Sequence, residues 1–199
     1  MKSNKCYRLR EMIYGYGKRW DSLSPLEEYA ICFAHKNINE EPARFIYGHR
    51  EKKTVEYSLS HHGEQVNTQL RKYGDDESTI RYSKRLQKYQ LKEDIVVYRG
   101  LYPITMDLLK AEASKLGEDQ VDLYDRGFMF TSLVKGKEID KSCKLRIYLP
   151  KGTHAYYSGN VNYEETVYYE VVVQKGAKLH ILSKDKEYYN CILIETEYL

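Results

Sequence analysis

The sequence has few cysteines, little net charge and no long apolar run, and each of these absences excludes a class of protein. Its four cysteines lie far apart with no CxxC spacing, so neither a zinc site nor a disulfide framework is indicated. No stretch approaches the roughly 20 apolar residues of a transmembrane helix, so we expect no membrane partner. A net charge of +3 is too small to require a polyanionic partner. His61 and His62 lack a third ligand at motif spacing, so we expect no metal.

The first ten residues, MKSNKCYRLR, lack the apolar core of a secretory signal. We therefore expect the chain as given to be cytoplasmic, unless it is a piece of a larger protein or is exported by a route that the sequence does not show.

Residues 1–93 have the pattern of helices. Ser24-Pro25-Leu26-Glu27 has the form of a capping box with proline at the first helical position. The helix that it predicts would bury one stripe, formed by Leu26, Tyr29, Ala30, Phe33 and Ala34.

Two further helices are predicted in this first half, and the second of them is basic. The first contains Val66, Leu70 and Tyr73 at helical spacing. The second, IRYSKRLQKYQLK, carries a stripe of positive charge formed by Arg81, Arg85, Lys88 and Lys92. Such a stripe is either a nucleic-acid patch or, more often, the solvated face of an amphipathic helix. The sequence leaves both interpretations open.

Residues 94–199 have the pattern of strands. The segments DIVVYR, KLRIYL, TVYYEVVV, AKLHIL and NCILIETEYL are rich in β-branched and aromatic residues. One helix interrupts them, opening near Thr105 and continuing through Leu116. Helices first and strands afterwards favour an α+β fold over an alternating α/β fold. No repeat or low-complexity linker divides the chain, so we expect a single domain over residues 1–199.

Polar residues mark three places in the strand-rich half. Arg99 ends the strand DIVVYR and is followed by Gly100. Two hydroxyl residues, Thr131 and Ser132, lie in GFMFTSL, and Glu170 opens a strongly apolar strand that a Lys-Gly turn follows. Taken singly, each has an ordinary explanation, because such residues are common at strand ends, in turns and on sheet surfaces. Their order along the chain is the more specific signal.

Taken together, these segments resemble the arginine–serine–glutamate class of mono-ADP-ribosyltransferases, which includes many bacterial toxins. In that family an arginine ends a strand as "hYRG", a "GFxSTS" segment follows, and a glutamate opens "EhLLxxGxxFxI". YLPKGTHAYY is similar to the family's "hxhPKGTxAxYh" strand pair, NTQLR resembles its "INxxLR" helix, and the region around Trp20 resembles its opening helix. The resemblance runs from about residue 20 to the end. It implies N-terminal helices packed on a two-sheet β core with an NAD cleft.

The resemblance also implies roles for individual residues, with NAD as co-substrate and no metal. Glu170 would favour the oxocarbenium-like state formed when the nicotinamide–ribose bond breaks. Arg99, with Gly100 beside it, would hold the dinucleotide through a phosphate or ribose contact, for which the guanidinium fork is suited. Ser132, counted with Glu170 and Arg99 as catalytic, and Thr131 would shape the floor of the cleft. Contacts with NAD from the helical side are implied for Asn67 and Arg71.

The sequence departs from the family pattern at two positions. Phe130 replaces the first serine of "STS", whose hydroxyl commonly helps to orient the catalytic glutamate, and phenylalanine cannot form that hydrogen bond. Tyr168 occupies the position two residues before Glu170, where the family usually has glutamine or glutamate in contact with the target nucleophile. Glu165 lies in the expected target-recognition loop and, with Tyr168, is a candidate for acceptor recognition.

Three functions stay open at this point. The chain could transfer ADP-ribose to a macromolecular acceptor, with a protein favoured over a nucleic acid. It could be an NAD glycohydrolase that passes the ribose to water, or an inactive relative that retains the fold as a binding module. As a toxin or effector, it could be delivered to a target cell, and a self-poisoning enzyme of this kind would need an inhibitor protein.

Overall fold

The computed structural model describes residues 16–39, 54–159 and 168–198. The helices within these ranges are α1 (Tyr16–Asp21), α2 (Ala30–Asn37), α3 (Val55–His61), α4 (Gly63–Tyr73), α5 (Glu77–Leu86) and α6 (Pro103–Leu116). The strands are β1 (Ile95–Leu101), β2 (Leu123–Asp125), β3 (Met129–Ser132), β4 (Cys143–Leu149), β5 (Ala155–Gly159), β6 (Glu170–Val173), β7 (Ala177–Lys184) and β8 (Tyr188–Glu195). Helices before strands confirm the α+β class. None of the helices in these ranges has the length and apolar character needed to cross a membrane.

The predicted capping box at Ser24 is wrong. A 3₁₀ turn, Glu27–Tyr29, precedes α2, and Leu26 at its N-cap makes no capping hydrogen bond through its side chain. Ser24 instead donates a hydrogen bond to the carbonyl of Asp21 and lies 2.9 Å from the hydroxyl of Tyr98. Leu26 and Tyr29 are 66% and 61% exposed, so the buried part of the predicted stripe begins at Ala30.

A capping box does form at the start of α5. The side chain of Asp76 accepts a hydrogen bond from the backbone N–H of Thr79 at 2.8 Å, and the Thr79 hydroxyl accepts one from the backbone N–H of Asp76 at 2.7 Å. These two bonds satisfy backbone donors that a helix leaves without partners in its first turn. On the next turns Tyr82 and Leu86 face the interior, so α5 is fixed both at its N-terminus and along one face.

The eight strands form one hydrogen-bonded sheet in the order β2-β7-β8-β4-β1-β3-β6-β5. All neighbours are antiparallel except β4 and β8. The resemblance implied two sheets, whereas the strands are hydrogen-bonded into one sheet; the fold class holds. The reason lies at one junction, because β1 pairs with β4 along its whole length but with β3 only through Tyr98 and Ser132. A group of five strands and a group of three thus meet at a single residue pair.

Helices α3, α4 and α5 pack on the three-stranded group. Their apolar side chains form a cluster with residues of β5 and β6 and with Phe128, which precedes β3. A larger cluster contains residues of both strand groups, such as Val97 from the five and Val171 from the three, and, from α6, Met106 and Leu109. The larger cluster therefore continues across the junction of the two strand groups, and Arg99, Ser132 and Glu170 line a cleft at that junction.

Candidate active site

A cleft of about 200 Å³ opens where β1 approaches β3 and β6. The structure brings six of the predicted site residues to its walls. These six are Arg99, Gly100, Thr131, Ser132, Tyr168 and Glu170. Asn67 and Arg71 lie outside this cleft, and Glu165 lies outside the described residues. Within the described ranges, no group of side chains has the composition of a metal site.

Arg99 lies near the end of β1, and its side chain is buried. Its Nη2 donates a hydrogen bond of 2.9 Å to Oδ2 of Asp125. Burial lowers the pKa of Arg99, and the negative charge of Asp125 opposes that shift. Nη1 is also buried and, among the residues that the structure describes, has no hydrogen-bond partner. Because a guanidinium keeps its charge in proteins, one donor of a buried cation is available to an oxyanion at the cleft.

Asp125 joins two arginines, and sequence reasoning missed it. It ends the short strand β2 and is buried. Besides the bond from Arg99, it accepts bonds from Nε and Nη2 of Arg71 at 3.2 and 2.9 Å and from the backbone N–H of Gly127 at 2.9 Å. Burial opposes ionisation of Asp125, but the charges of Arg99 and Arg71 outweigh it and lower its pKa. Asp125 therefore stays ionised and fixes both guanidinium groups.

A second cavity, of about 340 Å³, borders this carboxylate. Arg71 and Asp125 contribute to its wall, together with residues of α6 such as Thr105 and Leu108. Asp125 thus connects Arg99, which lines the cleft, to Arg71, which lines the cavity. The two predicted NAD-binding arginines therefore share one anion.

Asn67 has a structural role in addition to its predicted contact with NAD. Its Oδ1 accepts a bond from the backbone N–H of Phe128 at 2.8 Å, and its Nδ2 donates to the carbonyl of Phe128 at 2.9 Å. A Cβ at Gly127 would lie 2.5 Å from that Oδ1, so only glycine allows this approach. The pair of bonds ties α4 to the segment that enters β3. Direct contact between Asn67 and NAD stays a prediction.

Gly100 lines the cleft because the backbone of another segment approaches it closely. A Cβ there would lie 1.7 Å from the carbonyl oxygen of Ile139. Any side chain would displace the segment around Ile139, which forms part of the cleft wall. The glycine after Arg99 is therefore required by the packing of this chain, and its predicted contact with NAD stays a prediction.

The floor of the cleft is set by the pairing of β3 with β6. Ser132 lies directly opposite Glu170 in this antiparallel ladder, so the two side chains share a face. The Ser132 hydroxyl donates to the carbonyl of Val134 at 2.8 Å, and Thr131 donates to the carbonyl of Val171 at 2.8 Å. Both hydroxyls therefore fix backbone at the floor of the cleft.

Glu170 is the carboxylate of this floor, at the start of β6. Its Oε1 accepts a hydrogen bond of 2.6 Å from the hydroxyl of Ser158 on β5. The sequence does not single out Ser158, because a serine followed by a glycine has the ordinary composition of a turn. Phe130, on the same face of β3, packs with the apolar cluster under α4, and its ring fills the space beside Gly63.

The residue before Glu170 has an unusual backbone. Tyr169 has a φ of +48°, a left-handed conformation that tyrosine rarely adopts. Two contacts hold it there, because its carbonyl accepts a bond from the N–H of Leu133 and its hydroxyl donates to Glu27 at 3.0 Å. Burial raises the pKa of the Tyr169 hydroxyl, and the hydrogen bond to Glu27 raises it further. Such strain is concentrated at functional sites, and here it directs the chain from Tyr168 at the mouth of the cleft into β6.

Comparisons with known proteins agree with this geometry. The model of the ADP-ribosyltransferase exoenzyme family matches residues 31–197. Plx2a, an ADP-ribosyltransferase toxin from Paenibacillus larvae, is 21% identical, with a TM-score of 0.59 over 84% of this chain and 96% of that one. C3stau2 from S. aureus, solved with NAD, is 20% identical, with a TM-score of 0.55 over 71% and 85%. The Clostridium limosum C3 exoenzyme is 17% identical, with a TM-score of 0.56 over 71% and 85%.

No curated protein matches this chain in sequence. At 17–21% identity the solved structures show a shared fold, whereas the family model covers most of the chain and shows the family. The arginine, the hydroxyl pair and the glutamate that suggested this class lie around one cleft. The chain therefore belongs to the ADP-ribosyltransferase exoenzyme family and is an NAD-dependent mono-ADP-ribosyltransferase of the toxin type.

Proposed function

We propose that this transferase breaks the nicotinamide–ribose bond of NAD at Glu170 and passes ADP-ribose to a protein acceptor of a target cell. The observation that carries the proposal is the meeting of Glu170 and Arg99 at one cleft, with Nη1 of Arg99 buried and, among the described residues, without a partner. A cationic donor and a carboxylate at one cleft suit a substrate that carries an anionic diphosphate and becomes cationic at the ribose.

The arginines fit the diphosphate of NAD. Guanidinium groups bind phosphate oxygens through two parallel donors, and Asp125 restricts the orientation of both Arg99 and Arg71 before any ligand arrives. A preorganised donor loses little side-chain entropy on binding. Arg99 would therefore contact the diphosphate from the first cleft, and Arg71 from the side of the second cavity.

Glu170 would act on the ribose. A carboxylate held close to the ribose stabilises the positive charge that develops as nicotinamide departs, and it can accept a hydrogen bond from a ribose hydroxyl. Ser132 and Thr131 would keep β3 in register under it, since both hydroxyls bond backbone at the cleft floor. The chain would thus contribute charge and position, and its side chains would form no covalent intermediate.

A protein acceptor is favoured over a nucleic acid. Of the basic stripe that suggested nucleic acid, only Arg81 and Arg85 lie on α5, and Arg85 pairs with the buried Glu56. Tyr168 stands 37% exposed at the mouth of the cleft, where it offers an acceptor side chain a hydroxyl and an aromatic face. Glu165 would add a charge to the same recognition segment.

Nicotinamide release from NAD by the purified chain tests the proposal, measured with and without a lysate of candidate target cells. We expect release that the lysate stimulates, with labelled ADP-ribose appearing on protein. Release without any labelled macromolecule would indicate an NAD glycohydrolase, and label on nucleic acid would exclude the protein acceptor. Absence of release under all conditions would indicate a binding module and contradict the proposal.

Replacing Arg99 with lysine should raise the Michaelis constant for NAD about tenfold or more. Lysine keeps the charge but lacks the guanidinium fork, so it cannot bind Asp125 and a phosphate in the same fixed geometry. Initial rates at varied NAD concentration measure the effect. Arg81→Lys, at an exposed position of α5, is the matched control and should leave the constant unchanged. An unaltered Michaelis constant in Arg99→Lys would exclude the proposed contact.

A further inference from the structure

A β-bulge lies next to Glu170. In the antiparallel pairing of β5 with β6, Tyr157 stands opposite Val171 and Gly159 stands opposite Glu170, so Ser158 is an extra residue in β5. Gly159 has a φ of +69°, which glycine adopts without strain. A bulge bends its strand and changes the direction of a side chain, and bulges are frequent beside active sites.

The bulge directs the hydroxyl of Ser158 to the carboxylate of Glu170. The distance from Ser158 Oγ to Glu170 Oε1 is 2.6 Å, within the range of a hydrogen bond from a hydroxyl to an ionised acceptor. A carboxylate can only accept, so the serine is the donor. Ser158 is 3% exposed, so water competes little for its proton. Ser158 Oγ also lies 3.3 Å from the backbone carbonyl of Glu170, and the shorter contact holds Oε1 beside β5.

The hydroxyls of β3 are not available for this purpose. Phe130 replaces the first of them and packs beside Gly63 under α4. The hydrogen of the Ser132 hydroxyl is directed to the carbonyl of Val134. The donor to the carboxylate therefore comes from the strand on the other side of β6.

We propose that Ser158 is a positioning residue for Glu170 and that it replaces, from β5, the hydroxyl that Phe130 removes from β3. The proposal rests on the proposed function, because it concerns the same carboxylate and the same reaction. The proposal explains how the site can function with Phe130, since Ser158 supplies the hydroxyl that phenylalanine lacks. Ser158 would act only through Glu170 and would not contact the reacting atoms.

Replacing Ser158 with alanine should lower kcat for nicotinamide release roughly 10- to 100-fold, since small errors in the position of a catalytic group reduce rates by that order. The Michaelis constant for NAD should stay within about twofold, because Arg99 and Arg71 are untouched. Ser158→Thr keeps the hydroxyl and should retain most of kcat. Ser114→Ala removes an exposed hydroxyl of α6 and is the control. A kcat for Ser158→Ala equal to that of wild type would overturn the proposal.

A double variant tests whether the two hydroxyls are equivalent. Phe130 and Glu170 share a face of adjacent strands and are diagonal neighbours, so a serine at position 130 could reach the long carboxylate side chain. Phe130→Ser should raise kcat more in the Ser158→Ala background than in the wild type, because only there is the hydroxyl of Ser158 missing. Equal effects in the two backgrounds, in variants that unfold at the same temperature as their parents, would contradict the replacement.

A spectroscopic measurement separates this proposal from the proposed function. With ¹³C-labelled glutamate, the carboxyl resonance of Glu170 is identified by its disappearance in Glu170→Gln. It should shift in Ser158→Ala and stay in place in Ser114→Ala, whether or not nicotinamide is released. If wild type releases none but the resonance shifts, the reaction is wrong and the contact stands. If wild type releases nicotinamide and the resonance does not shift, the contact is refuted.

Discussion

Replacing Glu170 with glutamine should reduce nicotinamide release from NAD by roughly 100- to 1000-fold, the usual cost of one key electrostatic group in a transition state. Glutamine has nearly the same shape as glutamate and can still accept a hydrogen bond from Ser158 through its carbonyl oxygen. It lacks the negative charge, so the cationic state at the ribose loses its stabilisation. Binding of NAD should change little, because the arginines that would hold the diphosphate are intact.

Single-turnover release of nicotinamide gives the rate, and quenching of protein fluorescence by NAD gives the affinity. Glu195→Gln, an exposed position of β8, provides the same chemical change at a distance from the cleft and should behave as wild type. Full activity in Glu170→Gln would show that another group supplies the charge. A lost affinity with a retained rate would instead assign Glu170 to binding.

Replacing Asp125 with asparagine should destabilise the protein by about 3–5 kcal/mol, the usual effect of removing one partner from a buried ion pair. Asparagine is the same size, so packing is kept while two guanidinium groups lose their shared anion. Buried Arg99 suffers most, because Nη2 as well as Nη1 would then lack a charged partner. NAD should restore part of the stability, since its diphosphate would supply negative charge at the same place.

Urea unfolding at neutral pH, with and without NAD, measures both effects. Asp140→Asn is the matched control: that carboxylate is 96% exposed and pairs with Lys144 at 3.4 Å, so its loss should change the free energy of unfolding by less than about 1 kcal/mol. A similarly small change in Asp125→Asn would mean that the two arginines do not depend on this carboxylate. A large change that NAD does not reduce would exclude the diphosphate from this position.

The sequence predicted the long strands and, beside their apolar runs, candidate residues that the structure brings to one cleft. Runs of β-branched and aromatic residues such as IVVY are typical of strands. Arg99 and Glu170 stand out because they border such runs. The short strand β2 could not be predicted, since three residues are too few to show an alternation of apolar and polar side chains. The capping box was predicted wrongly because of a tertiary contact. Ser24 has the right spacing, but its hydroxyl bonds Asp21 and lies against Tyr98, which is distant in sequence.

Asp125 and Ser158 were missed for a different reason. Each is one polar residue among ordinary neighbours, and its importance arises only from partners more than ten residues away. Asp125 matters because two arginines converge on it, and Ser158 matters because a one-residue bulge turns it toward Glu170. Residues that bind a substrate directly leave a signal in local sequence, whereas residues that orient them leave none when they lie on another strand.

The single residue pair that joins β1 to β3 has a consequence for the cooperativity of the molecule. Within the described ranges, Tyr98 and Ser132 are the only register pair between the five-stranded and three-stranded groups, so few backbone bonds join one group to the other. Cohesion between the groups therefore rests mainly on the apolar cluster to which both contribute, with Leu145 in one group and Val171 in the other. A dinucleotide that contacts Arg99 in one group and Glu170 in the other would strengthen this cohesion, and substrate binding would thereby make unfolding of the whole chain more nearly all-or-none.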